Sequence, residues 1–116
     1  MDSTAARQAH PVLAFPANWG VYTDLETIAL PPGFARLYYP IEAGLTVRGQ
    51  VKRNILGAAH TYGLRVAVKE DKGLLESLYR FTFVGPEAPV RAFHAALQTW
   101  AKDVGATNEH PELTEL

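Results

Sequence analysis

Three cationic side chains lie close together in a predicted helix, and their spacing is the strongest chemical signal in the sequence. Arg48, Lys52 and Arg53 fall in its first two turns, with no acidic residue beside them. The helix dipole makes each cation unfavourable at this end by about 0.3–1 kcal/mol at low salt. An anion such as phosphate is stabilised there, because free backbone N–H groups point toward it. The cluster predicts phosphate contacts; the alternative, that the side chains extend into solvent at little cost, stays open.

Further cations follow in the two strands after this helix. Arg65 and Lys69 alternate with apolar residues and therefore occupy the opposite face of their strand. Arg80 joins them if the aromatic residues of the next strand face the core, which is the favoured arrangement. If those aromatics face outward instead, they offer a stacking platform for RNA bases. Either arrangement predicts a basic, exposed sheet face. The candidate nucleic-acid-binding residues are Arg48, Lys52, Arg53, Arg65, Lys69 and Arg80.

The other residue types that carry chemistry are scattered. The chain has no cysteine, and its serines, Ser3 and Ser77, lie outside any nucleophile motif. Acidic residues fall mainly in a predicted turn and in the tails, where they cannot act as positioned acid–base pairs. The sequence predicts no catalytic residue, no metal site and no cofactor. The four histidines are far apart and match no ligand spacing: His10, His60, His94 and His110.

One glycine pattern comes near to a phosphate-binding loop. Gly44 and Gly49 have the required separation and lead into the cationic helix. The motif then needs Lys followed by Ser or Thr, whereas Gln50 and Val51 stand there. Without the lysine that reaches the phosphates, nucleotide hydrolysis is not expected.

The elements that position these residues follow from hydrophobic spacing. Val47, Val51 and Ile55 begin a helical stripe, with Thr46 as the expected N-cap and Gly63 as the expected C-terminal residue. A second amphipathic helix runs from near Pro86 to Gly105, and both helices are expected to bury one apolar face. Strands are predicted at 34–39, 64–69 and 78–84. The residues expected to be buried together are Val51, Ile55, Ala59, Phe93, Leu97 and Trp100.

This order of elements predicts an α+β fold: a two-layer sandwich with an antiparallel or mixed sheet and two helices on one face. It corresponds to the ferredoxin-like, split βαβ arrangement. No final strand is evident, so an extra strand is expected from residues 12–30. Residues 1–11 are expected to be a flexible arm, 12–105 a single domain and 106–116 an acidic flexible tail.

The chain has no apolar stretch that suggests a signal peptide or a membrane span, and a cytoplasmic location is expected. Its layout is similar to that of small uncharacterised bacteriophage proteins. The similarity lies in Tyr39-Pro40, a glycine loop, an alanine-rich helix ending at Gly63 and a basic hairpin. It implies a phage origin, and hence the host cytoplasm, more than it implies an activity.

Two functions are favoured at this point, neither enzymatic; a third and weaker one is a small-molecule sensor on a ferredoxin-like scaffold, which the fold alone cannot support. The first is binding of DNA or RNA through the basic helix and sheet face, with little sequence specificity. The second is a protein-binding inhibitor or adaptor of a host protein, using exposed N-terminal aromatics at Phe15, Trp19 and Tyr22. A homodimer through the sheet face or an edge strand is expected, and no membrane partner.

Overall fold

The computed structural model describes residues 15–20, 23–103 and 112–115, of which 101–103 and 112–115 are described by their backbone alone. The expected arm at residues 1–11 lies outside the described residues, as do 104–111. The elements in chain order are β1 (Phe34–Gly44), α1 (Arg48–Thr61), β2 (Arg65–Lys72), β3 (Glu76–Pro86), α2 (Glu87–Asp103) and β4 (Glu112–Glu115).

The four strands form one sheet in the order β2-β3-β1-β4. Every neighbouring pair is antiparallel, so β1 and β2 run parallel with β3 inserted between them. Both helices pack on one face, since α1 and α2 contact the same central strands. This is the predicted two-layer, ferredoxin-like sandwich, and the fold prediction is confirmed.

The source of the fourth strand differs from the prediction. Residues 15–20 and 23–30 contain no strand. Instead Glu112–Glu115, inside the expected flexible tail, pairs with residues 35–38 of β1. The rest of β1 on that side has no neighbouring strand among the described residues. With one leucine in four residues, β4 is too short and too polar to show a strand period.

Of the two predictions about the ends of α1, the one for its N-cap is wrong and the one for its C-terminal glycine is correct. Val47 occupies the N-cap position, and no side chain caps the helix, so Thr46 is not the cap. At the other end Gly63 has a φ of 75°, the left-handed conformation that a residue with a Cβ rarely adopts. The glycine therefore ends α1 and turns the chain into β2, as predicted.

The helix-facing core is made almost entirely of apolar side chains. Tyr79, Phe81 and Phe83 of β3 are buried in it, which confirms the favoured orientation of that strand. The ring of Phe83 packs edge-on against Phe93 of α2, with the centroids 4.6 Å apart. Of the residues expected to be buried together, five are buried and Trp100 is partly buried against them.

A second, smaller cluster lies on the opposite face of the sheet. Phe15, Trp19 and Leu25 pack there against Phe34 and Val84. The residues that contribute them, 15–20 and 23–30, are called the N-terminal segment below. This segment covers the part of the sheet that the sequence analysis expected to be bare.

Candidate functional site

Two arginines of the sheet hold the N-terminal segment in place. Arg65 donates to the main-chain oxygens of Trp19 at 3.3 Å and Gly20 at 3.4 Å. Its guanidinium also lies 5.0 Å from the Phe15 ring centroid, within cation–π range. Arg36 donates to the main-chain oxygens of Leu25 and Ile28. The strand register places both arginines beside Val84 in one row across the sheet.

The remaining cations of the sheet are paired with carboxylates. Lys69 Nζ lies 2.7 Å from Glu26 of the N-terminal segment, and this hydrogen bond and charge raise the pKa of Lys69. Arg80 lies 2.6 Å from Asp71 on the neighbouring strand. The expectation of a bare, basic sheet face is therefore wrong, because the N-terminal segment covers part of it and acids offset the exposed cations.

The three cations of α1 differ from one another. Arg48 donates to Ser77 Oγ at 3.2 Å and to the Gly73 main-chain oxygen at 3.4 Å, so it joins the helix to the β2–β3 turn. Lys52 lies 3.7 Å from Glu70 of β2. Arg53 is exposed and has no ion pair within the described part of the chain. The predicted cluster thus divides into one structural arginine, one weakly paired lysine and one free cation.

The N-terminal aromatics proposed as partner contacts are packed against the sheet. Phe15 and Trp19 are each only 8% exposed. Phe15 contacts Phe34 edge-on, with centroids 5.4 Å apart, and Trp19 does so at 6.1 Å. Their expected exposure is wrong because they close the second cluster, and Tyr22 lies outside the described residues.

An apolar groove lies between α1 and α2 in the helical layer. Its volume is about 190 Å³. Ile55, Phe93 and Leu97 form its floor because all three are buried, while the rings of Tyr62 and Trp100 are partly accessible. The described lining residues are Asn54, Ile55, Ala58, Tyr62, Phe93, Ala96, Leu97 and Trp100. We call this feature the interhelical groove.

The surroundings of the groove are almost free of charge. Among the described residues, its lining contains no acidic or basic side chain. Gly57 on α1 and Ala92 and Thr99 on α2 are exposed nearby at helical spacing from lining residues. Arg53 directly precedes the lining residue Asn54 on α1, and its guanidinium lies near Gly49, one turn earlier in the helix. Hydrophobic spacing in the sequence did not reveal the groove, because it assigned these helix positions only to the core.

The turn between β2 and β3 presents a second apolar surface. Leu74 is 89% exposed and Leu75 is 74% exposed, and Leu45 of the β1–α1 loop is half exposed beside them. We call residues 73–76 the hairpin tip. The predicted strands end at residue 69 and begin again at residue 78, so these leucines fell between them without an assigned role, although two leucines directly after a glycine are a visible signal.

His94 has the most unusual polar environment among the described residues. Its ring packs edge-on against Tyr39, with centroids 6.0 Å apart. Its Nε2 is enclosed and has no hydrogen-bond partner, and burial lowers the pKa of the ring. No three His, Cys, Asp or Glu residues are grouped as metal ligands in the described part of the chain. No described helix is long and apolar enough to cross a membrane.

No protein-family model and no curated protein matches the chain. Among solved structures, the de novo designed protein Foldit4 is similar, with a TM-score of 0.61 and 13% sequence identity over 72% of this chain and 98% of its own. The de novo designed protein Ferredog-Diesel has a TM-score of 0.45 and 10% identity, over 86% of this chain and all of its own. The bacteriophage resemblance stays a prediction. At 13% identity, the similarity to Foldit4 concerns the fold alone.

Proposed function

We propose that this chain is a non-enzymatic protein-binding module that receives apolar side chains of a partner protein in the interhelical groove. The observation that carries the proposal is the groove itself: an apolar cleft with two accessible aromatic rings and no charged residue among its described lining residues. Interface cores have this character, because they are depleted of charged residues and enriched in aromatic ones. Trp and Tyr also dominate the binding energy of many interfaces.

The size of the groove favours a protein over a small molecule. Small-molecule sites commonly enclose about 300–1,000 Å³. The groove, at about 190 Å³, is smaller and holds one or two large side chains. Small residues in its walls, Ala58 and Ala96, allow a partner backbone to approach closely.

The charge beside the groove indicates what else the partner carries. Arg53 is exposed, it has no ion pair among the described residues, and no acidic residue is among the described lining residues of the groove. A carboxylate next to the inserted apolar side chains would meet this cation. Such complementarity adds mainly to specificity and association rate. The expected partner element thus presents large apolar side chains followed by an acidic residue.

Nucleic-acid binding remains a second candidate because of α1. Arg48 bonds only neutral groups, Arg53 is unpaired among the described residues, and Lys52 is 3.7 Å from its acid. If these three contact phosphates, their replacement by Gln should reduce the slope of log affinity against log salt by about 2–3, at roughly 0.7–0.9 per contact. A gel shift at low salt tests this directly, and no shift with single- or double-stranded probes would eliminate the candidate.

The groove is tested by capture of partners with two matched variants. Ala96→Glu places a charge in the groove wall, whereas Ala95→Glu places the same charge at an exposed position of α2 outside the lining. We expect wild type and Ala95→Glu to retain the same protein from a lysate of the source cells, and Ala96→Glu to lose it. Direct titration of the identified partner should then show a loss of at least about tenfold in affinity, equivalent to ~1.4 kcal/mol.

Both alanines are exposed, so both variants should melt close to wild type. A thermal melt verifies that the fold is retained. Equal partner retention by all three proteins would contradict a role for the groove, as would equal loss from both glutamate variants.

A further inference from the structure

The molecule carries both a small apolar groove and a protruding pair of leucines that suits it. We infer that the interhelical groove of one copy receives Leu74 and Leu75 of a second copy of the chain. This inference rests on the proposed function and names the partner of the same groove. It is carried by three observations on the hairpin tip: its exposure, its bracing and its charge.

The exposure of the tip is unusual for apolar side chains. Leu74 and Leu75 are the two most exposed large hydrophobic residues of the described chain. A single exposed leucine needs no explanation, but adjacent ones beside Leu45 form a continuous apolar projection. The tip does not line the groove of its own molecule, so its leucines are available to another one.

The backbone beneath these leucines is held in one conformation. The Gly73 N–H donates to the main-chain oxygen of Glu76 at 2.8 Å. The Leu45 N–H donates to the main-chain oxygen of Leu75 at 2.9 Å. Arg48 adds its bonds to Gly73 and Ser77, and Ser77 is fully buried. A projection that is already ordered loses little conformational entropy when it binds. The fold thus presents the two leucines rigidly to solvent.

The tip also carries the charge expected of a groove partner. Glu76 follows Leu75 directly, is exposed, and forms no ion pair within the described residues. Its counterpart is Arg53, an exposed cation that directly precedes the groove residue Asn54 on α1. Insertion of Leu74 and Leu75 would bring a carboxylate of one copy to the free guanidinium of the other. No other exposed apolar pair with an adjacent free acid is found in the described chain.

The two surfaces are different parts of the molecule, which determines the kind of assembly. The groove lies on the outer side of the helices, whereas the tip lies at one end of the sheet beside the start of α1. The inferred contact is a single heterologous one, which leaves one tip and one groove unoccupied, and these can bind a third copy. Such contacts form rings or open chains rather than a closed two-fold dimer.

This geometry is tested by mixing two variants, each of which has lost one of the two surfaces. Leu74→Asp/Leu75→Asp destroys the tip and leaves the groove, while Ala96→Glu blocks the groove and leaves the tip. We expect wild type to form species larger than dimers as its concentration rises to about 100 μM, a weak-affinity scale. Each variant alone should remain monomeric in analytical ultracentrifugation. Their equimolar mixture should form a 1:1 dimer and grow no further, since that dimer retains one intact contact.

Ala95→Glu serves as the control and should associate as wild type does, and melting curves should show all variants folded. A wild type that stays monomeric at about 100 μM would overturn the inference. So would self-association of the tip variant, or failure of the two variants to combine. These outcomes are separate from those of the capture experiment, because a monomeric chain that binds another protein through the groove would retain the proposed function.

Discussion

The two faces of the sheet are closed in different ways. On the helix face, β3 contributes Tyr79, Phe81 and Phe83 to a large cluster of buried apolar side chains. On the opposite face a much smaller cluster is joined to the sheet by cations. Arg36 and Arg65 bind main-chain oxygens of the N-terminal segment there. One face is therefore held mainly by packing and the other largely by hydrogen bonds to irregular backbone.

This difference shows that a row of cations on a strand need not indicate an anionic partner. A guanidinium has five donors, and main-chain oxygens are acceptors that can satisfy them as phosphate oxygens would. Arg65 also lies over Phe15, in the way that an arginine contacts a base. The N-terminal segment thus occupies positions on the sheet that a nucleic acid was expected to take.

The largest loss of stability is expected from a substitution on the helix face of the sheet. Leu97→Ala should lower the free energy of unfolding by about 2–5 kcal/mol, because a buried side chain is removed and a cavity remains. Urea unfolding followed by circular dichroism measures the change. Gln98→Ala, at an exposed position of the same helix, should stay within about 0.5 kcal/mol of wild type. An unchanged midpoint for Leu97→Ala would remove this residue from the core.

A substitution on the opposite face of the sheet should lower the free energy of unfolding by a smaller amount. Arg36→Met retains an apolar side chain of similar length but removes the donors to the Leu25 and Ile28 oxygens. Leaving partly buried acceptors without partners should cost about 1–3 kcal/mol. The N-terminal segment should loosen while the helix-face core persists, so the fluorescence of Trp19 should shift to the red in a Trp100→Phe background.

Arg53→Met is the control for this change, because Arg53 is exposed and unpaired among the described residues. It should leave the Trp19 emission unchanged. If Arg36→Met also leaves it unchanged, the arginine is not what holds the segment, and the contrast between the two faces would fail.

The smallest expected effect concerns pH. Burial lowers the pKa of His94 in the folded protein below its ordinary value near 6.5. The folded state therefore disfavours protonation, so stability is full above about pH 6.5 and falls as the pH drops through that value. Unfolding midpoints between pH 7.5 and 5.5 should decline in wild type and decline less in His94→Gln. Equal declines in both proteins would assign the effect to other groups.

The helix-face elements were predictable because they repeat a period. Val51 and Ile55 recur at helical spacing, and Phe81 and Phe83 alternate along a strand. The cover on the other face has no period: Phe15, Trp19 and Leu25 lie in turns. Their contacts with Arg36 and Arg65 depend on main-chain oxygens that every residue possesses, so side-chain type does not encode the pairing.

The candidate site was predicted only in part, for a related reason. Arg48, Lys52 and Arg53 were predicted as one phosphate-binding cluster, whereas Arg48 has a structural role that its position in the sequence conceals. Trp100 was expected to be buried and is instead partly accessible in the groove. Whether two amphipathic helices meet closely or leave a cleft depends on their separation, which hydrophobic spacing does not define.

The position of β4 has a consequence for the growing chain. β1 has its two neighbours, β3 and β4, far downstream, so it leaves the ribosome well before either of them. Until then both of its edges are open to strands of other chains. Even afterwards β4 covers only residues 35–38 of β1. Pro40 lies just beyond this cover, and a proline has no N–H to donate to a further strand.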